Sequence, residues 1–430
     1  MKIAIVGAGV GGLAAAYDLV RAGARVALFE AADHVGGLAS GFRSETWDWT
    51  IEHYYHHWFA SDKAMLGLID DLGLSEHVLF PRPITAVYHE GQFYPLDSAL
   101  AVLRFPAVSL IERLRLGMTV AYLKYIARWQ PLESVTASAW LERWVGKRAY
   151  RILWEPLLIG KFGPYYQEVN MAWFWARVKA RTPRLGTFEG GFQAFNDAFA
   201  EKLEQMGVNI RLSTPVTIIE PEAGGGLRLT AGGEKEPYDQ CLVTSSPGQL
   251  ARLAPTLPEN YLDRLLNLRS MGAVVLILAL KRRLSERGVY WHNLPKTAGF
   301  PFLSLVEHTN YVDPVHFGGD HIVYIGDYLE PDHEYFTLSK EQLLERFLPS
   351  LPRFNPSFSA DWVRESWMFR TAYAQPVPPL DHSKAIPALK TPIPGLWFAS
   401  MSQVYPWDRG TNFAVAIGRQ AARAMLTEAL

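Results

Sequence analysis

A short apolar run, Lys2-Ile3-Ala4-Ile5-Val6, enters Gly7-Ala8-Gly9-Val10-Gly11-Gly12, and a helical pattern follows over Leu13–Ala22. A second run, Arg25–Phe29, ends on the acid Glu30. An apolar run without polar alternation reads as a strand buried on both faces of a parallel sheet. Gly7 permits a tight turn, Gly9 lets the backbone approach a pyrophosphate, and Gly12 allows close helix–strand packing. The helix start offers unpaired N–H groups to phosphate charge. Glu30, 18 residues beyond Gly12, is placed to accept the adenosine ribose hydroxyls and disfavours a 2′-phosphate. A glycine-rich turn in an unrelated α/β protein would need only the glycines. Strand, helix and terminal acid together predict a dinucleotide-binding unit.

The remaining composition narrows the class. At roughly 150 residues per domain, the 430 residues suggest two or three domains. With 49% hydrophobic and 20% charged residues, the chain is globular rather than disordered. Its 42 basic and 43 acidic residues leave a net charge of −1, so no electrostatic footprint for nucleic acid exists. The single cysteine, Cys241, excludes an intramolecular disulfide and any multi-thiolate metal site, and a cytoplasmic setting is expected. The apolar N-terminus lacks a basic leader beyond Lys2 and spaces its glycines regularly. It is therefore expected to be mature sequence from Met1 rather than a signal peptide. No uncharged run reaches the ~18–20 residues of a membrane span.

After Glu30 comes a second glycine pair, Gly36-Gly37-Leu38-Ala39. Here the sequence resembles the flavin-containing amine oxidase superfamily, with protoporphyrinogen oxidases, phytoene desaturase-like enzymes and UDP-galactopyranose mutases. In that family the pair follows the ribose-binding acid at this spacing and lies against the FAD pyrophosphate. The resemblance implies FAD bound by Gly7, Gly9, Gly12, Glu30, Gly36, Gly37 and Leu38; because Cys241 falls on a strand of the FAD half, away from where the ring should sit, the FAD is expected to be non-covalent. It continues at Glu189–Phe195, similar to the family's GGF segment, and at Val216, which matches a valine whose backbone contacts adenine. Pro394–Leu426 resembles the strand–loop–helix that covers the flavin ring and ribityl chain. The family's Gly–acid pair after that strand is replaced by Ser400-Met401-Ser402. The ribityl contact then falls to Ser400, Ser402 or backbone. Thr411 and Asn412 open a small-residue helix whose amides would face the flavin's N1–C2 edge. Equally, that helix would simply pack on the sheet.

The expected architecture is α/β: a Rossmann-type, GR2-like FAD-binding domain from residues 1–80, 185–260 and 385–430, and a discontinuous mixed α+β substrate domain from 80–185 and 260–385. The first insertion looks helical after Pro95; the second has strand-like runs at Ala273–Leu280, Phe302–Val306 and Ile322–Ile325 and a helix near Lys340–Leu348. Only one GxGxxG occurs, so oxygen, a quinone or the substrate itself exchanges electrons with the flavin.

Asp48–His57 matches the family segment beneath the isoalloxazine. His53, His56, His57 and Glu52 have metal-ligand chemistry, but no second ligand group is evident and no metal is expected. By its near-neutral reference pKa, His56 or His57 is the preferred proton acceptor; the alternative is a cavity wall. Lys161 lies in a segment similar to one facing the substrate cavity of protoporphyrinogen-oxidase-like proteins. It would meet an anionic substrate or a flavin-bound water, or be a surface lysine. Arg177, Lys179, Arg181 and Arg184 suit carboxylate or phosphate, though a solvated basic stripe is the commoner pattern. Glu307–Asn310 and Arg370–Pro376 are cavity candidates by position. Together these imply an oxidoreductase removing a hydride from an apolar or amphipathic small molecule, with redox-neutral mutase chemistry on a sugar nucleotide as the alternative. A flavin-binding protein without turnover is a third expectation. Finally, Ser109–Trp129 carries Leu110, Ile111, Leu114, Met118, Ala121, Tyr122 and Tyr125 at helical spacing among basic residues. A core helix is the first expectation, a helix lying peripherally on a bilayer the second.

Overall fold

The computed structural model describes residues 1–428; Ala429 and Leu430, the end of the expected 385–430 segment, lie outside the described residues. Five parallel strands form one sheet in the order Asn209–Arg211, Arg25–Phe29, Lys2–Val6, Gln240–Val243 and Leu396–Phe398. Successive side chains point to opposite faces. Ile3, Ile5, Val26 and Leu28 therefore pack beneath the helices Val10–Arg21, Phe192–Gln205 and Thr411–Glu428. Ala4, Val6, Ala27 and Phe29 meet an antiparallel sheet, Val216–Pro221, Leu227–Ala231 and Glu234–Tyr238, and the helix Pro247–Leu253. Coverage of both faces explains why these strands read as continuous apolar runs.

A second sheet has seven strands, ordered Val363–Pro376, Ser270–Leu280, His321–Leu329, Ser304–Glu307, Val289–Asn293, Ile84–His89 and Gln92–Pro95. Only Val289–Asn293 and Ile84–His89 run parallel. The three strand-like runs and the helix, Lys340–Phe347, stand where the apolar pattern places them. The hairpin Ile84–Pro95 and the strand Val363–Pro376 were not legible. The latter, VRESWMFRTAYAQP, lies at the sheet edge and mixes charges with aromatics, so it shows no apolar run.

Residues 99–180 form a helical layer whose core includes Phe105, Leu116, Leu123, Leu141, Phe162 and Trp173. Its helix Leu110–Ala121 is closed at the start by a capping box between Ser109 and Glu112 and runs into a π turn, Tyr122–Ile126. The core-helix expectation is overturned here. The buried stripe is Leu116, Thr119 and Leu123, whereas Leu110, Ile111, Leu114 and Met118 are 62, 71, 54 and 64% exposed. Among the described residues, no helix is long and apolar enough to cross a membrane.

Candidate functional site

Gly7 has φ +108° and donates its N–H to the Phe29 carbonyl at 2.8 Å. A Cβ on Gly12 would sit 2.0 Å from the Gly7 carbonyl oxygen, so helix Val10–Arg21 is pressed onto the turn. Gly9 differs: a Cβ there would meet only the Gly37 Cα, at 3.9 Å. Helix Val10–Arg21 starts with no side-chain cap and no acid in its first turn. Its N–H groups and positive dipole end remain available to an anion. The Gly36 N–H donates to the Ala8 carbonyl at 2.9 Å, and Gly36 and Gly37 have φ +109° and +58°. The second glycine pair thus lies backbone-to-backbone on the first, and Leu38 is 37% exposed beside it. The Glu30 carboxylate accepts the Ala8 and Ala32 amides at 2.8 and 3.0 Å. Thr214 donates its N–H to the Glu30 carbonyl at 2.8 Å, setting buried Val216 two residues on. An uncapped helix start, an open backbone approach at Gly9 and an adjacent carboxylate fit the ADP half of FAD.

The C-terminal candidates are tied more tightly than their sequence suggests. Ser402 Oγ lies 2.7 Å from the Tyr373 hydroxyl, which also accepts the Ser402 N–H at 2.9 Å. Thr411 Oγ1 accepts the Trp58 indole N–H at 2.9 Å. Asn412 Oδ1 accepts the Ala64 and Met65 amides at 2.9 and 3.1 Å, at the start of helix Lys63–Asp71. The Thr411 and Asn412 side chains are spent within the protein, and backbone amides are what they offer a ligand.

Tyr55, His56 and His57 are half-buried between the two sheets, keeping part of their surface accessible as cleft-wall residues do. Burial pulls His56 down to about 4 and His57 to about 3, the latter helped by Arg181. The near-neutral value that recommended them is therefore not theirs here. Desolvation favours the uncharged imidazole. Among the described residues no group of three His, Cys, Asp or Glu side chains is placed to hold a metal ion.

Lys161 is buried, so it is no surface lysine. Its Nζ donates to Gln375 Oε1 at 3.3 Å and lies 4.8 Å from the Tyr328 ring centre. Burial, then repulsion from Arg177 and Arg409, holds its ammonium well below the usual lysine range. Asp408 Oδ1 accepts the Trp173 indole N–H at 3.1 Å and the Gln375 amide at 3.3 Å, and its Oδ2 faces Arg177 Nη1 at 3.4 Å. Burial would raise Asp408, but Lys161, Arg409 and Arg177 outweigh it and hold the carboxyl far below its ordinary value. Arg409 donates to the Tyr328 hydroxyl. The basic run splits: Arg177 turns inward, Lys179 donates to the Lys124 carbonyl at 2.5 Å, and Arg184 is exposed. Gln375 enters the chamber from Arg370–Pro376, a segment chosen by position, whereas the sequence assigns Asp408 and Tyr328 no role there. Of the candidates chosen by position, Glu307 instead binds His292 and the Ser285 amide, both at 3.0 Å, and Arg370 donates to the Phe336 and Leu338 carbonyls.

A glycine cradle on a parallel sheet, beside a second mixed sheet and a half-buried charged cluster, fits a dinucleotide-binding protein with a second unit over the site. The chain belongs to the family described as Flavin containing amine oxidoreductase, which matches residues 10–426. FAD is the cofactor and flavin-dependent oxidoreductase the class. Carotenoid phi-ring synthase of Streptomyces griseus is 27% identical over 60% of this chain, a match spanning about half (54%) of that protein. The solved structure of a putative protoporphyrinogen oxidase from Exiguobacterium sp. 255-15 superposes with TM-score 0.79 at 19% identity, covering 99% of both chains. Reduced UDP-galactopyranose mutase superposes with TM-score 0.78 at 17% identity, covering 99% of this chain and 96% of that one. At such identities the structures speak for the fold alone.

Proposed function

We propose that this chain removes a hydride from an apolar or amphipathic small molecule, oxidising a C–N or C–C bond to C=N or C=C. The carrying observation is a buried lysine of depressed basicity, Lys161, beside an ionised Asp408 in an aromatic-walled chamber. Bound FAD supplies the two-electron acceptor. Gly7, Gly9, Gly12, Glu30, Gly36, Gly37, Leu38 and Val216 hold its ADP half, and Ser402 with the Thr411 and Asn412 amides meet the flavin end. Lys161, its ammonium disfavoured by burial and by the neighbouring Arg177 and Arg409, takes the substrate proton that leaves with the hydride. His56 and His57 are neutral walls that keep the chamber dry, a role in which position matters more than basicity. Residues 1–80, 185–260 and 385–428 form the FAD unit, and the intervening segments form the substrate unit.

A second reading has one observation behind it. Arg177 and Arg181 would also suit the diphosphate of a sugar nucleotide in redox-neutral mutase chemistry. Challenge of the oxidised enzyme with amines and polyenes, and of the photoreduced enzyme with UDP-sugars, decides between them: oxidation of an amine or polyene with reduction of the flavin is expected, and turnover of UDP-sugars alone would overturn it.

The substrate's route also follows. Leu103, Leu110, Ile111, Leu114, Met118, Tyr125 and Ile126, 45–78% exposed, form one apolar face beside exposed Arg104 and Arg128. Such a face, rimmed by arginine, suits a peripheral seat on an anionic bilayer. Binding to phosphatidylserine vesicles is expected, with Leu114→Glu weakening it at unchanged FAD content; no vesicle binding at low salt would refute it.

A further inference from the structure

Arg177 sits on helix Met171–Ala180, and Arg181 follows one turn later on the same side, immediately after the helix ends. Arg409 reaches the same chamber from the loop before helix Thr411–Glu428. Three guanidiniums thus gather around one carboxylate, Asp408, and that carboxylate is already shared. Its oxygens take Trp173, Gln375, Arg177 and the Arg409 amide. Arg409 spends one nitrogen on Tyr328 and leaves its buried Nε without a partner. The Arg181 side chain makes no hydrogen bond or ion pair with any described residue. It is exposed, keeping more than a third of its surface open. Burial, then Arg177, lowers Arg181 to about 9, so it stays cationic at neutral pH.

Uncompensated charge in a half-buried site is costly unless something pairs it. The surplus is two guanidiniums, presented with unused planar donors on a wall that also carries Tyr55, Tyr328 and Trp173. We infer that this chamber is an anion subsite, in which Arg181, backed by Arg177 and Arg409, binds the carboxylate or phosphate head of an amphipathic substrate. This deepens the hydride-removal proposal and rests on it only for the word substrate. A simple alkylammonium, the head group that the family's description would suggest, meets repulsion from three sides. Carboxylate and phosphate both offer the paired acceptor oxygens that a guanidinium fork fits.

The FAD-loaded protein is titrated calorimetrically with decanoate, decyl phosphate, decylamine and decanol, which share a chain and differ in head. One or both anions should bind about tenfold more tightly than decanol, the gain of one charge-assisted hydrogen-bonded pair, and decylamine should bind more weakly still. The tighter anion identifies the head group. Arg181→Gln should reduce anion binding about tenfold while FAD content, melting temperature and decanol binding stay unchanged. Arg181→Lys should recover part of the loss. Decylamine binding as tightly as the anions, or Arg181→Gln leaving anion affinity unaltered, would overturn the subsite. Selective anion binding in a protein that oxidises no donor would instead retain the subsite and remove the hydride-transfer reading.

Discussion

Gly9 and Gly12 belong to one sequence motif but answer to different masters. At Gly9 the backbone is extended, with φ −67° and ψ 167°, and a side chain meets nothing closer than 3.9 Å. Gly9→Val should therefore fold and melt normally yet purify without its yellow cofactor, since only an incoming pyrophosphate would contest that space. At Gly12 the obstacle is the protein's own Gly7 carbonyl, 2.0 Å from the added Cβ. Gly12→Ala should cost about 3 kcal/mol of stability, in the range of a forced overpacking, visible as a lowered urea midpoint. If both variants lost FAD at equal stability, the division of roles would be wrong. Glu30 bridges the two. Its carboxylate already orders the Ala8 and Ala32 amides, so Glu30→Ala should weaken FAD by ~1.5–3 kcal/mol without abolishing it, measured by fluorescence titration. These cradle residues were legible because the glycine roles are local. The same local logic failed at His56 and His57, whose basicity depends on burial by segments hundreds of residues away.

Between elements, helix Val10–Arg21 and helix Thr411–Glu428 cross backbone to backbone. A Cβ on Gly418 would lie 2.2 Å from the Gly11 carbonyl, backbone that cannot swing aside. Gly67, inside helix Lys63–Asp71, has nothing within 4 Å of the corresponding position. The same exchange should then have opposite signs: Gly67→Ala gains ~0.5–1 kcal/mol of helix propensity, whereas Gly418→Ala separates the helices and lowers the melting temperature. Parallel melts of both variants test it, and a stabilised Gly418→Ala would refute the crossing. The 411–428 helix was visible in sequence as a small-residue run, because close packing leaves that trace in composition. Helix Leu110–Ala121 shows what periodicity omits. Its moment announced two faces but not which one met the protein, and the wider apolar face, Leu110 to Met118, turned outward.

Across the whole molecule the buried titratable groups set how stability responds to acid. His53, His56, His308 and His382 are pulled down to about 4 and His57 to about 3, each chiefly by burial. Unfolded, each would take a proton near its ordinary 6.5. As pH falls below that value the unfolded chain binds protons that the native chain refuses, and stability is lost. Burial works the other way on three carboxyls, raising Glu52 to about 7 and Asp62 and Asp327 to about 6. These take protons first in the native state, so acidification favours folding through them. His321 and His333 are lowered as well and Asp18 raised, so the histidines outnumber the acids and the unfolded chain takes up more protons near pH 5, with stability lost as pH falls. Asp408, held below its ordinary value, adds to the loss only under still stronger acid. Urea unfolding of the FAD-loaded protein at pH 7, 6 and 5 should show the midpoint falling throughout. Because His56 and His57 are two of the histidines held down by burial, the double variant His56→Gln, His57→Gln should make the midpoint clearly less dependent on pH across that range. An unchanged slope in the double variant would mean that these imidazoles are charged in the native chamber, and the dry, neutral wall assigned to them would be wrong.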